Sequence, residues 1–345
     1  MHAAVHPRFE TDRAAAVLYG LALGDALGMP SQTLSREEIR QHYGAIDDFV
    51  APYPGHPVSS GLRAAQVTDD TEQSLLLARR LIRDPLTFDA QHWARDLLDW
   101  ETSVRRRGLL DLLGPSSKAA LEAIRRGVDP AEAAKAGTTN GAAMRIAPVG
   151  IAVPTRPLTA LVDAVERTCR ATHNTGEAIA AAAAVAGFIS GRIDGAALEF
   201  AVARALEAAK LGQKRGHPAG VSDMAERITQ AVEMARAGIG IEAFADHVGT
   251  SVASHEAVPA AFGILVMASG DVWRAGLLAA NVGDDTDTIG AMACAMCGAG
   301  TGMRGIPADK LKTLKSANDL AIDTLSNQLV ALRNRAAKPT GMVAS

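Results

Sequence analysis

Cysteine is almost missing from this chain, with three in 345 residues, at Cys169, Cys294 and Cys297. So sparse and odd a set excludes a disulfide scaffold and matches a reducing compartment, so a cytoplasmic protein is expected. Neither sign of charge dominates: 35 Lys and Arg against 38 Asp and Glu leave a net charge of −3. With no long basic run, neither a nucleic acid nor an anionic membrane is an expected partner. No segment reaches the roughly 18 uninterrupted apolar residues of a membrane span. The first residues lack a charged-then-apolar signal pattern. Sustained period-two alternation is missing too, and no strand-then-helix series occurs, which removes the β and α/β classes.

What remains is helix. Hydrophobic residues make up 48% and charged ones 21%, enough for a large core. Aromatics are only 4%, and alanine fills runs such as Ala178 to Ala186, so helices are expected to pack closely through small side chains. Helix-period or alanine-rich patterns cover 13–27 (apolar stripe Val17, Leu18, Leu21, Leu23), 72–82, 92–100 and 118–126. They recur over 158–171, 177–190, 196–209 and 224–237. The expected architecture is all-α, a compact single-domain orthogonal multi-helix bundle over residues 13–337. Residues 1–12 read as an N-terminal extension and 338–345 as a frayed tail. The run 289–300 is apolar and helix-like, so Cys294-Ala-Met-Cys297 within it reads as two small buried hydrophobes, not a redox or zinc pair.

Two stretches read as loops. Residues 29–66, rich in Pro, Gly and Ser, run into an acidic cluster and are a candidate lid or an ordinary surface excursion. Residues 210–222 set Lys214, Arg215 and His217 between glycines, a basic loop for solvent or for an anionic substrate.

The chemistry is concentrated in two acidic clusters more than two hundred residues apart: Thr68-Asp69-Asp70-Thr71 and Asp284-Asp285-Thr286-Asp287-Thr288. Each opens an apolar stretch. The first alone is explained by helix capping through Thr68 or Asp69. The second has three aspartates in four residues where a cap needs one. Carboxylates this dense repel one another unless a cation neutralises them, and all-oxygen donors suit Mg²⁺ or Mn²⁺. Known acidic motifs fail on spacing. An EF-hand begun at Asp285 finds Met296 where its bidentate Glu belongs. Prenyl-diphosphate synthase motifs need a fifth-position aspartate that neither cluster has. Around the clusters lie glycine-bounded elements. Gly20, Gly24 and Gly28 are four apart on the first helix, while Gly137-Thr138-Thr139-Asn140-Gly141 is a loop whose N–H groups suit phosphate or ribose, or an ordinary helix link. Thr172-His173-Asn174-Thr175 precedes the alanine-rich helix.

In this order, the motifs resemble the ADP-ribosylglycohydrolase superfamily, with its dinitrogenase-reductase-activating glycohydrolases, ADP-ribosyl-acceptor hydrolases and J1 crystallins. The matching elements are Gly24-Asp25-Ala26-Leu27-Gly28, Thr68–Thr71, Asn140-Gly141-Ala142-Ala143-Met144-Arg145, Thr172-His173 and Gly283–Gly290. The resemblance implies a compact all-α fold with two Mg²⁺ or Mn²⁺ ions at the base of a cleft. The implied ligands are Thr68, Asp69, Asp70, Asp285, Asp287 and Thr288. Gly24, Asp25, Gly137, Thr138, Asn140, Gly141, Met144 and His173 would line the substrate site, with His173 at the diphosphate. Two departures stand out. Gly283-Asp284 replaces the usual pair of glycines, adding a carboxylate beside the metals. Gln32 stands where many relatives have a catalytic or metal-gating Glu, and Gln accepts no proton.

The implied activity is metal-dependent hydrolysis of a ribosyl C1″ bond in an ADP-ribosyl substrate, carried on a protein side chain or on a small compound. Asp69, Asp70 or Asp285 would serve as base and Gln32 would help position substrate or water. The alternatives are hydrolysis of a small ribosyl nucleoside or nucleotide, and a non-catalytic ADP-ribose binder. A monomer or homodimer is expected.

Overall fold

The computed structural model describes residues 7–85, 87–108, 113–219 and 223–336. These contain eighteen α-helices and, among the described residues, only isolated β-bridges. The chain opens with α1 (Pro7–Gly28), α2 (Arg36–Tyr43), α3 (Asp69–Arg83), α4 (Ala90–Arg106), α5 (Pro115–Arg125) and α6 (Pro130–Ala133). It continues through α7 (Gly141–Met144), α8 (Ala147–Ala152), α9 (Leu158–Cys169), α10 (Gly176–Ile193), α11 (Leu198–Gly212) and α12 (Met224–Arg236). The last third holds α13 (Ile241–Val248), α14 (Ser254–Met267), α15 (Val272–Ala280), α16 (Thr286–Thr301), α17 (Ala308–Ala317) and α18 (Ile322–Ala336). The all-α, single-domain reading is what the protein adopts.

At the centre, α1 and α16 lie against each other along their length. The cause is side-chain size. A Cβ placed on Gly24 would stand 2.0 Å from the Gly290 carbonyl oxygen, and one on Gly28 would stand 2.4 Å from Asp287 Cα. Only glycine allows this approach. Its consequence is chemical, because it brings the C-terminal end of α1, with Asp25, against the start of α16, with Asp287. Helix α1 is buried on all sides from Ala14 onward, so the expected apolar stripe is a fully enclosed helix. Leu18, Leu21, Leu23 and Leu27 are each at most 1% exposed, and each contributes roughly 2 kcal/mol by burial.

Helix α10 is the second core element. By length and composition it would cross a membrane, a candidate span the sequence reading did not recognise, yet 94% of it is buried inside the protein. Thr175 caps it, accepting from the Ala178 N–H at 3.3 Å while its own hydroxyl donates to the Gly137 carbonyl at 2.6 Å. Cys294 and Cys297 face the core on α16 as free thiols, and burial pushes both up from the ordinary thiol range.

Three boundaries differ from the sequence reading. Helix α1 begins at Pro7, so residues 7–12 continue the first helix; residues 1–6 and the expected tail 338–345 lie outside the described residues. The stretch 29–66 contains α2, closed by a capping box in which Ser35 and Glu38 exchange hydrogen bonds. In the basic loop, Arg215 is committed to Asp163 at 2.7 Å and Glu166 at 3.5 Å on α9, not held open for an anion. Residues 220–222 of that loop are outside the described residues.

Candidate active site

The two acidic turns start α3 and α16, and the packing of α1 against α16 brings them to one place. Oxygens of Asp25, Asp70 and Asp287, all buried, lie within 4.8 Å of one another. These three come from three separate segments of the chain. Asp25, expected among the substrate contacts, has a different position: it is fully buried and grips the first turn. Its Oδ1 accepts the Thr68 hydroxyl at 2.7 Å, and its Oδ2 accepts the Thr71 N–H at 3.1 Å and the Thr71 hydroxyl. The Thr68 N–H also reaches it, at 3.0 Å. The cap of α3 is therefore supplied by α1. Thr68 occupies the N-cap position without a side-chain cap bond. Capping, the sequence-level explanation for this turn, is thus filled by Asp25, leaving Asp69 and Asp70 without that role.

Their surroundings are electrostatically costly. Burial pushes Asp69 and Asp70 well above the ordinary carboxylate range, and neighbouring aspartates add to the shift. Asp287 is raised the same way, by burial and then by Asp285 and Asp25. Asp25 and Asp285 are raised to about 6, again by burial, with their hydrogen bonds opposing the shift. Asp70 Oδ1 is buried with no hydrogen-bond partner, an arrangement costing on the order of 1–3 kcal/mol unless something fills it. A divalent cation fits this set: every donor is oxygen, the charges demand neutralisation, and one carboxylate oxygen is orphaned. Because Asp25 already accepts from Thr68 and Thr71, it serves best as the group that holds the turn. Asp70 and Asp287 keep free lone pairs.

The second turn is tied differently. The Asp284 N–H donates to the Leu34 carbonyl at 2.8 Å, the Thr33 N–H donates back to Asp284 at 2.6 Å, and the Asp285 N–H donates to Thr250 at 3.0 Å. The Thr286 hydroxyl donates to Gly28 at 2.9 Å, and Ser31 in turn donates to Thr286 at 3.0 Å. Asp284 does not join the buried carboxylates as expected. It is exposed, sits at φ 59°, and accepts the Thr250 hydroxyl at 3.1 Å. The left-handed backbone there is a position glycine occupies more easily.

Gln32 is 9% exposed; its Nε2 donates to Ser59 Oγ at 2.9 Å, and that hydroxyl donates to the Met29 carbonyl at 2.7 Å. Residues 29–34 are thereby fastened both to the following loop and, through Leu34, to the second turn. Glu72 is turned away from the carboxylates. Arg107 holds it at 2.6 and 2.7 Å, and Trp100 Nε1 donates to it at 2.7 Å. All three line a cleft of about 340 Å³ with Gln66, Val67 and Leu75.

The loop 137–141 reaches the site from the other side. Asn140 Nδ2 donates to Asp285 Oδ2, the Asn140 N–H donates to Val252 at 2.9 Å, and the Ser254 N–H donates to Thr138 at 3.0 Å. Asp285 is half-buried as a residue, while its carboxyl group is enclosed enough for burial to raise it. Gly137 lies on the Thr172 carbonyl and Gly141 on the His173 ring, where a Cβ would approach to 2.4 and 2.9 Å. Met144 is buried in α7, and Gly24 is spent on helix packing. His173 has no exposed surface, and both ring nitrogens face threonine hydroxyls. Burial and the Arg145 charge hold it well below the ordinary imidazole range, so it supports the loop as a neutral ring.

The sequence profile of the ADP-ribosylglycohydrolase family matches residues 6–339. The chain belongs to that family. Among its relatives, YegU of Escherichia coli strain K12 is 34% identical over 330 residues, 94% of this chain and 98% of that protein. ADP-ribosylarginine hydrolase Tri1 of Pseudomonas putida strain GB-1 is 29% identical over 312 residues, 87% of this chain and 74% of that protein. A solved ADP-ribosylglycohydrolase-related protein complex shares the fold, with a TM-score of 0.70 at 24% identity over 94% of this chain and 99% of that one. Membership in this hydrolase-type family goes with a buried acidic triad observed in the structure. Sequence reasoning placed Asp25 among the substrate contacts without its grip on the first turn, named Thr139 only as part of the 137–141 loop, and did not single out Gln73. For Asp25 the signal was present, since it lies in the same glycine-flanked element as Gly24 and Gly28.

Proposed function

We propose that this member of the ADP-ribosylglycohydrolase family hydrolyses the ribosyl C1″ bond of an ADP-ribosyl compound, using Mg²⁺ or Mn²⁺ held between its acidic turns. The observation that carries this reading is the meeting of Asp25, Asp70 and Asp287 from three segments with Asp70 Oδ1 left unpartnered. Thr68, Asp69, Asp70, Asp285, Asp287 and Thr288 would hold two cations. When bound, such ions would supply positive charge for ribose hydroxyls and lower the pKa of a water. Asp25 keeps the Thr68 hydroxyl proton turned toward itself, so that hydroxyl's lone pair faces away from Asp25. Asn140 and Thr288 both hydrogen-bond Asp285 and orient its carboxylate, which would take the proton of the attacking water as positive charge builds at C1″. Gln32 takes no proton and orients its neighbours by hydrogen bonding.

The name of the Pseudomonas relative makes an ADP-ribosylated guanidinium the first substrate to try. Gln32, in place of the expected acid, favours a small ribosyl nucleoside or nucleotide as the second. Incubating the purified protein with ADP-ribosyl-arginine, ADP-ribosyl-serine and a nucleoside panel, each with Mg²⁺ or Mn²⁺, separates them. Release of ADP-ribose only with metal supports the proposal. Turnover of nucleosides alone shifts it to the second reading, and no turnover of any substrate contradicts it.

A further inference from the structure

Behind the first acidic turn, a buried positive charge is linked to Asp69 through one amide. Gln73 lies one turn after Asp69 on α3, is fully buried, and donates from Nε2 to Asp69 Oδ2 at 3.1 Å. Its Oε1 accepts from Arg145 Nη1 at 2.6 Å. Arg145, at the end of α7, is 1% exposed. Its Nη2 donates to Thr172 Oγ1, and its guanidinium carbon stands 5.7 Å from the centre of the Trp93 ring.

Among the described residues no carboxylate touches this guanidinium, and its hydrogen bonds go to two neutral groups. A buried charge without an ion-pair partner is costly. Burial lowers Arg145 to about 10, so it is still protonated at neutral pH. Asp69, on the far side of the Gln73 amide, favours that charge. Arg145 in turn opposes the rise that burial, Asp25 and Asp285 impose on Asp69.

The orientation of the amide is fixed at both ends. A guanidinium only donates and a carboxylate only accepts, so Gln73 turns its oxygen to Arg145 and its nitrogen to Asp69. Both partners polarise the amide in the same sense, which strengthens both bonds. A carboxylate at position 73 would satisfy Arg145 but repel Asp69, and an apolar side chain would satisfy neither. Asp69 Oδ2 is thereby engaged, while Oδ1 takes no hydrogen bond from another side chain among the described residues.

We propose that Gln73 and Arg145 are positioning residues of the cation site: Arg145 locks the Gln73 amide, and the amide fixes the Asp69 carboxylate so that its other oxygen is the one offered to the cation. This rests on the metal-dependent reading given under Proposed function. Neither residue is a ligand in it; both act through Asp69. Groups that orient metal ligands in this way commonly change metal affinity by about 10- to 100-fold when removed.

Calorimetric titration of Mn²⁺ into the full-length protein tests the assignment, with melting curves in chelator alongside. Gln73→Met fills the space without changing charge and should weaken Mn²⁺ about tenfold. Arg145→Met should weaken it too. The Gln73→Met/Arg145→Met double variant should bind no more weakly than Gln73→Met, because the second change acts through a group already gone. Arg145→Lys keeps the charge and a donor for Gln73, and should recover most of the affinity that Arg145→Met loses. A purely structural role would lower the melting temperatures and leave Mn²⁺ affinity as it is. Native affinity in Gln73→Met would overturn the inference and leave the metal-dependent reading standing. Tighter binding by Arg145→Met would overturn the role given to Arg145, since a charge that merely repels the cation gives that result. If Gln73→Met does not fold, Gln73→Asn, an amide too short to bridge both partners, is read the same way: weakened Mn²⁺ supports the inference and unchanged Mn²⁺ overturns it. Failure of the native protein to bind Mn²⁺ would overturn the metal-dependent reading as well.

Discussion

The two acidic turns begin helices alike in sequence but are held by opposite means. The first is gripped by a side chain: Asp25 satisfies the N–H and hydroxyl groups of both Thr68 and Thr71, and Gln73 anchors Asp69. The second is held mainly by main-chain bonds to Leu34 and Thr250, and its Asp285 is half-exposed and engaged by the loop asparagine. One turn is thus held by a buried side chain and the other mainly by its backbone, beside the 137–141 loop. Under the proposed function the first turn would hold and the second would react.

That division predicts unequal damage. Asp25→Ala leaves buried donors on both threonines without partners. It should cost on the order of 3 kcal/mol of stability and abolish Mn²⁺ binding and turnover together. Asp285→Asn keeps the shape and should change stability by less than about 1 kcal/mol, while kcat falls about a hundredfold or more. Melting curves and kinetics on the two variants decide it. Equal loss of stability in both would erase the comparison.

A second prediction uses pH. Asp25 and Asp285 titrate at about 6 when folded against an ordinary 3.8, so the folded protein binds their protons more tightly than the unfolded chain does. Their contribution is present at low pH and lost as pH rises through that window, so the chelated protein should lose stability there. Mg²⁺ binds the deprotonated carboxylates, so its stabilising increment should grow across the same window. At a hundredfold excess over Kd that increment reaches about 2.7 kcal/mol. An increment equal at both ends of the window would contradict the proposed linkage.

Gln32 probes the border between the two turns. Gln32→Ala removes the bond to Ser59 and should cost roughly 1–3 kcal/mol of transition-state stabilisation without abolishing activity. Unchanged kinetic constants would place residues 29–34 outside the working site. The smallest effect belongs to Asp284→Gly, which relaxes a left-handed backbone and should raise stability by about 1 kcal/mol, a shift of about 2 °C in Tm. A fall in Tm would mean the Asp284–Thr250 bond outweighs the strain.

How much of this was legible depends on range. Helices α3, α9, α10 and α12 are readable because their apolar or alanine-rich periods are local. Helix α2 was passed over amid Pro, Gly and Ser, although Ser35 and Glu38 spell a capping box. Helix α14 is apolar with an internal Pro259, so no stripe marks it. The clustering of acids was visible, but Asp25 was read as a substrate contact because its partners lie 43 and 46 residues away. The pairing of Thr139 with His173 spans 34 residues and follows from helix packing, which no local pattern encodes.

The central claim is that both turns build one cation site. Titrating Mn²⁺ into the native protein and into the Asp70→Asn/Asp287→Asn double variant, followed by calorimetry, tests it most directly. Stoichiometric binding to the native protein and its loss in the double variant is the predicted result; full Mn²⁺ occupancy in the double variant would contradict the account.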